Sequence, residues 1–312
     1  TMPRVWVTRV LRTISQEQDH GQKLMGALTS VESLRGALKY SCERSRLRKD
    51  LERCFFELSC NQRTFDFLKA NEAHSTLGCW ARSIAGMFVS NTDANTMLGM
   101  YKMHVLDTDN ARLFLDGPGQ RDPSESRGRL LDVGAGDGHV TCELQPLFEE
   151  VLATEVSGPA VWRLQQKGIP TRRIASLDSL QGEVYDTVSC LNVLDRCSFP
   201  RDLLQDIKGL VKPVSGRLLL AVVLPFRPCV EGGGFNRLYR PEQDLDMPWD
   251  ATWEESVNQL VDTVLEPAGY EVERLARVPY LCQGDTGSPY YCLDDAVFLL
   301  RVKGGPGDAS AV

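Results

Sequence analysis

Leu130-Leu131-Asp132-Val133-Gly134-Ala135-Gly136-Asp137-Gly138 runs two leucines into an aspartate and then sets three glycines at every second position. An apolar run closed in this way reads as a buried strand ending in a tight turn that opens a helix. Glycine has no Cβ, so its backbone takes positive φ and lets a ligand approach the chain. The N–H groups at the opening of the helix favour a polar or negatively charged ligand. The spacing differs from the dinucleotide fingerprint, G-x-G-x-x-G. Here G-x-G-x-G follows D-x directly, the pattern of a loop that holds S-adenosylmethionine.

Downstream of the loop, strand and helix patterns alternate, as in βαβ units on a parallel sheet. Strands are predicted at 129–133, 150–154, 171–174, 185–190, 217–224, 271–278 and 295–302, and helices over 138–147, 158–167, 200–211 and 252–267. The expected fold is α/β: a Rossmann-like class I methyltransferase with a seven-stranded, mostly parallel sheet, an antiparallel last strand and an N-terminal helical region. Residues 225–248 form a long Gly/Pro-rich loop, a length that goes with function or disorder.

Upstream, Val31, Leu34, Leu38, Leu47, Leu51, Cys54, Phe55 and Leu58 recur at helical spacings. The Met-rich segment from Trp80 to Leu115 reads as core, with a lid over the cofactor as a further role. Gly117 to Arg127 is a loop by composition. The chain thus divides into a helical cap at 1–116, a methyltransferase domain at 128–303 and a flexible tail at 304–312.

A net charge of −7 argues against general nucleic-acid binding, which needs a basic face. It suits a basic peptide or a cationic sulfonium. The ten cysteines form no C-x-x-C, and no histidine lies at a zinc-ligand spacing, so no metal site is expected. Cysteines read as reduced favour a cytoplasmic protein. No run of about 20 apolar residues predicts a membrane span. The start, Thr1-Met2-Pro3-Arg4, is not a signal peptide as it stands; the residue before Met2 leaves room for a leader removed upstream. A monomer is expected.

Glu155 lies 23 positions after Asp132, at the end of the second strand, where an acid takes both ribose hydroxyls of a nucleoside-like cofactor. Ser176 to Asp178 falls where it could reach the adenine. Asn192 and Asp195 follow the fourth strand, at the carboxyl edge where open α/β sheets bind ligands. Methyl transfer is an in-line displacement, so the protein mainly aligns the reactants and excludes water. For an imidazole nucleophile, a carboxylate accepting one ring N–H fixes the tautomer and frees the other nitrogen's lone pair. Asp195 is the candidate; a helix N-cap is its structural alternative.

The glycine loop, with Val140-Thr141, resembles the protein-histidine methyltransferase family also called DREV, or methyltransferase-like protein nine. So do Phe148-Glu149-Glu150, Ala153-Thr154-Glu155 and Ser189-Cys190-Leu191-Asn192-Val193-Leu194-Asp195-Arg196-Cys197. Leu224-Pro225-Phe226, Pro279-Tyr280-Leu281-Cys282 and Tyr290-Tyr291-Cys292-Leu293-Asp294-Asp295-Ala296-Val297-Phe298 complete the likeness, over about 129–302. The resemblance implies S-adenosylmethionine as cofactor and methylation of the pros nitrogen of histidine in His-x-His motifs of His-rich proteins or peptides. It implies that Asp132, Gly134, Ala135, Gly136, Glu155 and Asn192 bind the cofactor, and that Asn192, Asp195 and Tyr291 form the histidine site. Tyr291 would donate a hydrogen bond or stack on the imidazole; its alternative is a half-buried strand-edge aromatic.

Residues 1–80 depart from the family pattern, as do His139, where an acid is common, and Gly232-Gly233-Gly234. The family's hydrophobic leader would place the protein in endomembranes or mitochondria. Two other readings compete: a small-molecule methyltransferase, favoured by a closed lid, and a cofactor-binding scaffold without catalysis. A nicotinamide dehydrogenase is disfavoured by the loop spacing.

Overall fold

The computed structural model describes residues 38–70, 91–99, 102–117, 126–231, 238–283 and 290–304. The described part of the chain opens with α1 (Lys49–Cys54), α2 (Gln62–Ala70), α3 (Asn91–Leu98), the short strand β1 (Met103–His104) and α4 (Thr108–Asp116). Then come β2 (Arg127–Val133), α5 (His139–Leu144), β3 (Phe148–Glu155), α6 (Gly158–Gln166) and β4 (Thr171–Arg173). β5 (Thr187–Leu191), α7 (Pro200–Leu210) and β6 (Arg217–Val223) follow. A small hairpin, β7 (Val230–Glu231) and β8 (Leu238–Tyr239), leads to α8 (Trp253–Leu260), β9 (Tyr270–Gln283) and β10 (Tyr290–Val302).

Eight strands form one sheet in the order β1-β9-β10-β6-β5-β2-β3-β4. The five from β6 to β4 are mutually parallel. β10 inserts antiparallel between β6 and β9. The expected seven strands with an antiparallel last one are all present. The eighth, β1, was not expected. It joins the edge through Met103 opposite Cys282 and His104 opposite Leu281. Two residues carry no readable alternation, so β1 owes its conformation to its partner.

The central strands are buried on both faces, which accounts for their near-continuous apolar runs. Leu130 faces one core with Ala153, Leu164 and Leu219, while Leu131 faces the other with Val188, Leu218 and Leu260. α7 turns Leu204, Ile207 and Leu210 inward and is tied down where Tyr270 Oη–H donates to the Leu204 carbonyl at 2.7 Å. The helix predicted over 252–267 starts on a capping box, Thr252 with Glu255, and runs on as a π turn over Val261–Leu265.

Helical periodicity misread the segment after Leu47. α1 stops at Cys54, and Phe55 is extended and bridges Leu275, whose carbonyl accepts the Phe56 N–H at 2.7 Å. Leu47, Leu51 and Phe55 nevertheless bury in the same core as Leu131, so tertiary contact overrides the local pattern. Val31 and Leu34 lie outside the described residues, as do Trp80, Cys79, Gly232-Gly233-Gly234 and most of the 117–127 loop. Cys42, Cys54, Cys142, Cys190, Cys197, Cys229, Cys282 and Cys292 are free thiols. Among the described residues no helix is long and apolar enough to cross a membrane.

Candidate active site at the carboxyl edge of the sheet

The glycine loop connects β2 to α5 with Gly134, Gly136 and Gly138 all at positive φ. Two of these positions are closed to any side chain. A Cβ at Gly134 would lie 2.6 Å from Val193 Cγ2, and one at Gly138 would lie 2.5 Å from Leu164 Cδ2. Gly136 is different: among the described residues only Met103 Cε, at 3.9 Å, stands near its Cβ position. The chain is thus packed down at both ends of the loop and open in the middle.

Five of the N–H groups expected to await an anion are already committed. Those of Gly134 and Ala135 donate to the Thr154 carbonyl, Gly136 to Glu155 Oε2, Gly138 to the Ala135 carbonyl and His139 to Asp137 Oδ1. With most of its donors used in this way, the loop fits a cationic ligand better than a phosphate.

Asp132 is 3% exposed, with Oδ2 accepting from Thr141 Oγ1 at 2.6 Å and Oδ1 from Ser189 Oγ at 2.7 Å. It ties β2 to β5 and α5 beneath the loop. Burial pushes its carboxyl up to about 6, against the pull of these two hydroxyls. Glu155 Oε1 accepts from Val156 and Ser157 N–H, and Oε2 from Gly136 N–H. Three of its roughly four acceptor positions are taken, leaving room for one further donor. Ser176 caps the turn Leu177–Leu180 and holds Asp178.

Asn192 follows β5 with φ at 57°, a left-handed conformation that asparagine tolerates better than most residues. Its Nδ2 donates to Asp295 Oδ2 at 2.8 Å. Asp195 lies in the turn beyond. It does not cap a helix, because α7 begins at Pro200 with Phe199 at the N-cap position. Its Oδ2 faces Arg196 Nε at 3.3 Å, and its carbonyl accepts the Cys229 N–H. Burial raises its carboxyl above the usual range, and the Arg196 guanidinium opposes that rise.

Asp295 is a site residue that sequence reasoning missed. It is fully buried at the point where β10 pairs with Val223, the last residue of β6. Burial pushes its carboxyl well above the ordinary range, the Asn192 hydrogen bond opposes this, and the nearby Asp195 charge adds to it. The available signal was a carboxylate opening the apolar run Ala296-Val297-Phe298-Leu299-Leu300. Tyr291 lies four residues earlier on β10, half-buried, opposite Cys282 and past the end of β6.

Three buried oxygens here, Asn192 Oδ1, Asp195 Oδ1 and Asp295 Oδ1, have no hydrogen-bond partner among the described residues. Buried acceptors left unmet are costly, so the arrangement calls for donors. The upstream segment borders the same edge. Met103 Sδ accepts from Tyr280 Oη, the Asp93 carboxylate accepts from Ser157 Oγ, and Arg163 donates to the Thr96 and Met97 carbonyls. Met97, expected in the core, is 56% exposed. No group of three His, Cys, Asp or Glu side chains among the described residues is arranged to hold a metal ion.

The N-methyltransferase NodS from Bradyrhizobium japonicum WM9, solved with S-adenosylhomocysteine, is 14% identical over 58% of this chain and 81% of its own, with a TM-score of 0.37. The 1,6-didemethyltoxoflavin-N1-methyltransferase of Burkholderia thailandensis is 20% identical over 57% of this chain and 72% of its own, with a TM-score of 0.39. The family model of the DREV methyltransferases matches residues 39–302. That match begins well before residue 129, where the motif resemblance began, and it takes in residues 39–80, which had read as departing from the family. The chain belongs to the DREV methyltransferase family, and its cofactor is S-adenosylmethionine.

Proposed function

We propose that this methyltransferase acts on protein histidine, methylating the pros nitrogen in His-x-His segments. The observation that carries the reading is the trio of buried, partnerless acceptors at Asn192, Asp195 and Asp295. An imidazole meets such a site with one N–H to donate and one lone pair to attack. Asp195 Oδ1 accepts that N–H, holds the ring in the required tautomer and stabilises the positive charge that grows on it during transfer. After transfer, Asp195 is the nearby base for the ring proton. Tyr291, on β10 past the end of β6, would stack on the ring or donate to it.

When bound, S-adenosylmethionine supplies an electrophilic methyl group on a sulfonium. Gly134, Ala135 and Gly136 would hold it, with the open space over Gly136 admitting it against the backbone. Glu155 would take one ribose hydroxyl on its remaining acceptor position, and Asn192 would close the other side. Asp132 supports the loop from below. The family membership and the acidic charge around the site favour this reading over a scaffold without catalysis.

The test is transfer of labelled methyl groups to a peptide of repeated His-Ala-His and to one with each His replaced by Ala. Label on the first alone is expected. Label on neither, with S-adenosylhomocysteine still binding, would turn the assignment toward a small-molecule substrate.

A further inference from the structure

Asparagine can turn its side-chain amide either way, and which end faces a ligand follows from the hydrogen bonds around it. At Asn192 one neighbour decides the matter. Asp295 Oδ2 lies 2.8 Å from Nδ2, so the amide nitrogen is held toward β10 and Oδ1 is left as the free end. With Asp295 ionised, the reverse orientation would set the amide oxygen against a carboxylate oxygen. Asn192 and Asp295 belong to strands separated by β6, so the contact exists only in the assembled sheet. The left-handed backbone at Asn192 and the complete burial of Asp295 keep both from moving away.

We infer that Asp295 is a positioning residue for methyl transfer, holding the Asn192 amide so that the site presents acceptor oxygens alone and admits a nitrogen heterocycle by its N–H. This rests on the histidine reading of the site. With the amide held, Asn192 Oδ1 joins Asp195 Oδ1 and Asp295 Oδ1 as unmet buried acceptors. A heterocycle with no N–H would leave them unmet and be rejected, because losing one side of a buried hydrogen bond costs more than the bond itself is worth. If the amide could turn over, Nδ2 would enter the site and that selectivity would fall.

The experiment compares the wild type, Asp295→Asn and the exchanged pair Asn192→Asp/Asp295→Asn, each saturated with S-adenosylhomocysteine. Imidazole and 1-methylimidazole are the probes, titrated by NMR at about pH 9, where both rings are neutral and imidazole alone keeps an N–H, alongside thermal unfolding and S-adenosylhomocysteine calorimetry. The wild type should prefer imidazole by about tenfold or more. Asp295→Asn should lose most of that preference while its unfolding temperature and cofactor affinity hold, a split that a purely structural role would not produce. The exchanged pair restores a donor facing a carboxylate and should recover the preference, even if the single variant folds poorly.

An Asp295→Asn protein that keeps the wild-type preference overturns the inference, and so does an exchanged pair that folds without recovering it. A wild type that methylates the histidine peptide yet shows no preference overturns the inference alone. A wild type with the preference but no transfer to the peptide overturns the histidine substrate and supports the placing of Asp295. A wild type that binds neither probe and transfers no methyl group to the peptide overturns both.

Discussion

Replacing Asp132 by Asn should stabilise the protein near neutral pH while leaving cofactor binding intact. The carboxyl is almost wholly buried, and only two hydroxyl hydrogens reach its oxygens. Burial pushes it up to about 6 from 3.8. An acid whose pKa is raised by folding stabilises the fold in its protonated form. That contribution is complete below the unfolded value near 4 and is lost as pH rises through about 6. The loss comes to about 3 kcal/mol, at ~1.4 kcal/mol for each pKa unit between the two values. An amide at this position keeps both contacts, with Oδ1 accepting from Ser189 and Nδ2 donating to the Thr141 oxygen. Urea unfolding of both proteins from pH 4 to pH 8 measures the difference, in which every other titrating group cancels. The stability of Asp132→Asn relative to wild type should climb by about 3 kcal/mol between pH 4 and pH 7 and stay level above. A difference that does not change with pH would refute the buried-acid reasoning. Loss of S-adenosylhomocysteine binding in a folded variant would refute the supporting role given to Asp132.

The glycine loop separates packing from ligand space. Gly138→Ala drives a Cβ to 2.5 Å from Leu164 Cδ2 at a φ of 78°, and should cost about 2 kcal/mol or more by denaturant unfolding. Among the described residues Gly136→Ala meets nothing closer than 3.9 Å, so its unfolding cost should stay near the ~1 kcal/mol of the left-handed backbone while S-adenosylhomocysteine affinity drops about tenfold in calorimetry. Asp195→Ala should lower transfer to the histidine peptide by about 100-fold, with cofactor affinity within about threefold of wild type. An unchanged rate would remove Asp195 from the site.

The parallel core was legible because its strands are long, doubly buried and punctuated by glycine and proline. Leu130-Leu131 and Leu218 to Val222 could hardly be anything else. The glycine loop was legible as a turn, but its hydrogen bonding was not. That Gly136 and Glu155 satisfy one another depends on β3 lying beside β2, which no local pattern states. Asp295 escaped for the same reason at longer range: its partner Asn192 lies 103 residues away, just past the end of a strand two places across the sheet. Asn192 was read by its position after β5, whereas its left-handed backbone and the direction of its amide come from the fold. Upstream, Phe55 has helical spacing from Leu51 yet is extended, because pairing with Leu275 and burial outweigh propensity in so short a segment.

The most direct measurement is the structure of the product. A His-Ala-His peptide is incubated with the protein and S-adenosylmethionine carrying a ¹³C methyl group, and the labelled methyl is located by NMR. Methylation of the pros nitrogen predicts through-space contacts from the new methyl to the histidine β-protons and to the ring proton between the two nitrogens. A methyl that instead contacts both ring carbon protons would place it on the other nitrogen and contradict the orientation assigned to Asp195. A peptide recovered without label, under conditions where the cofactor binds, would contradict the histidine assignment itself.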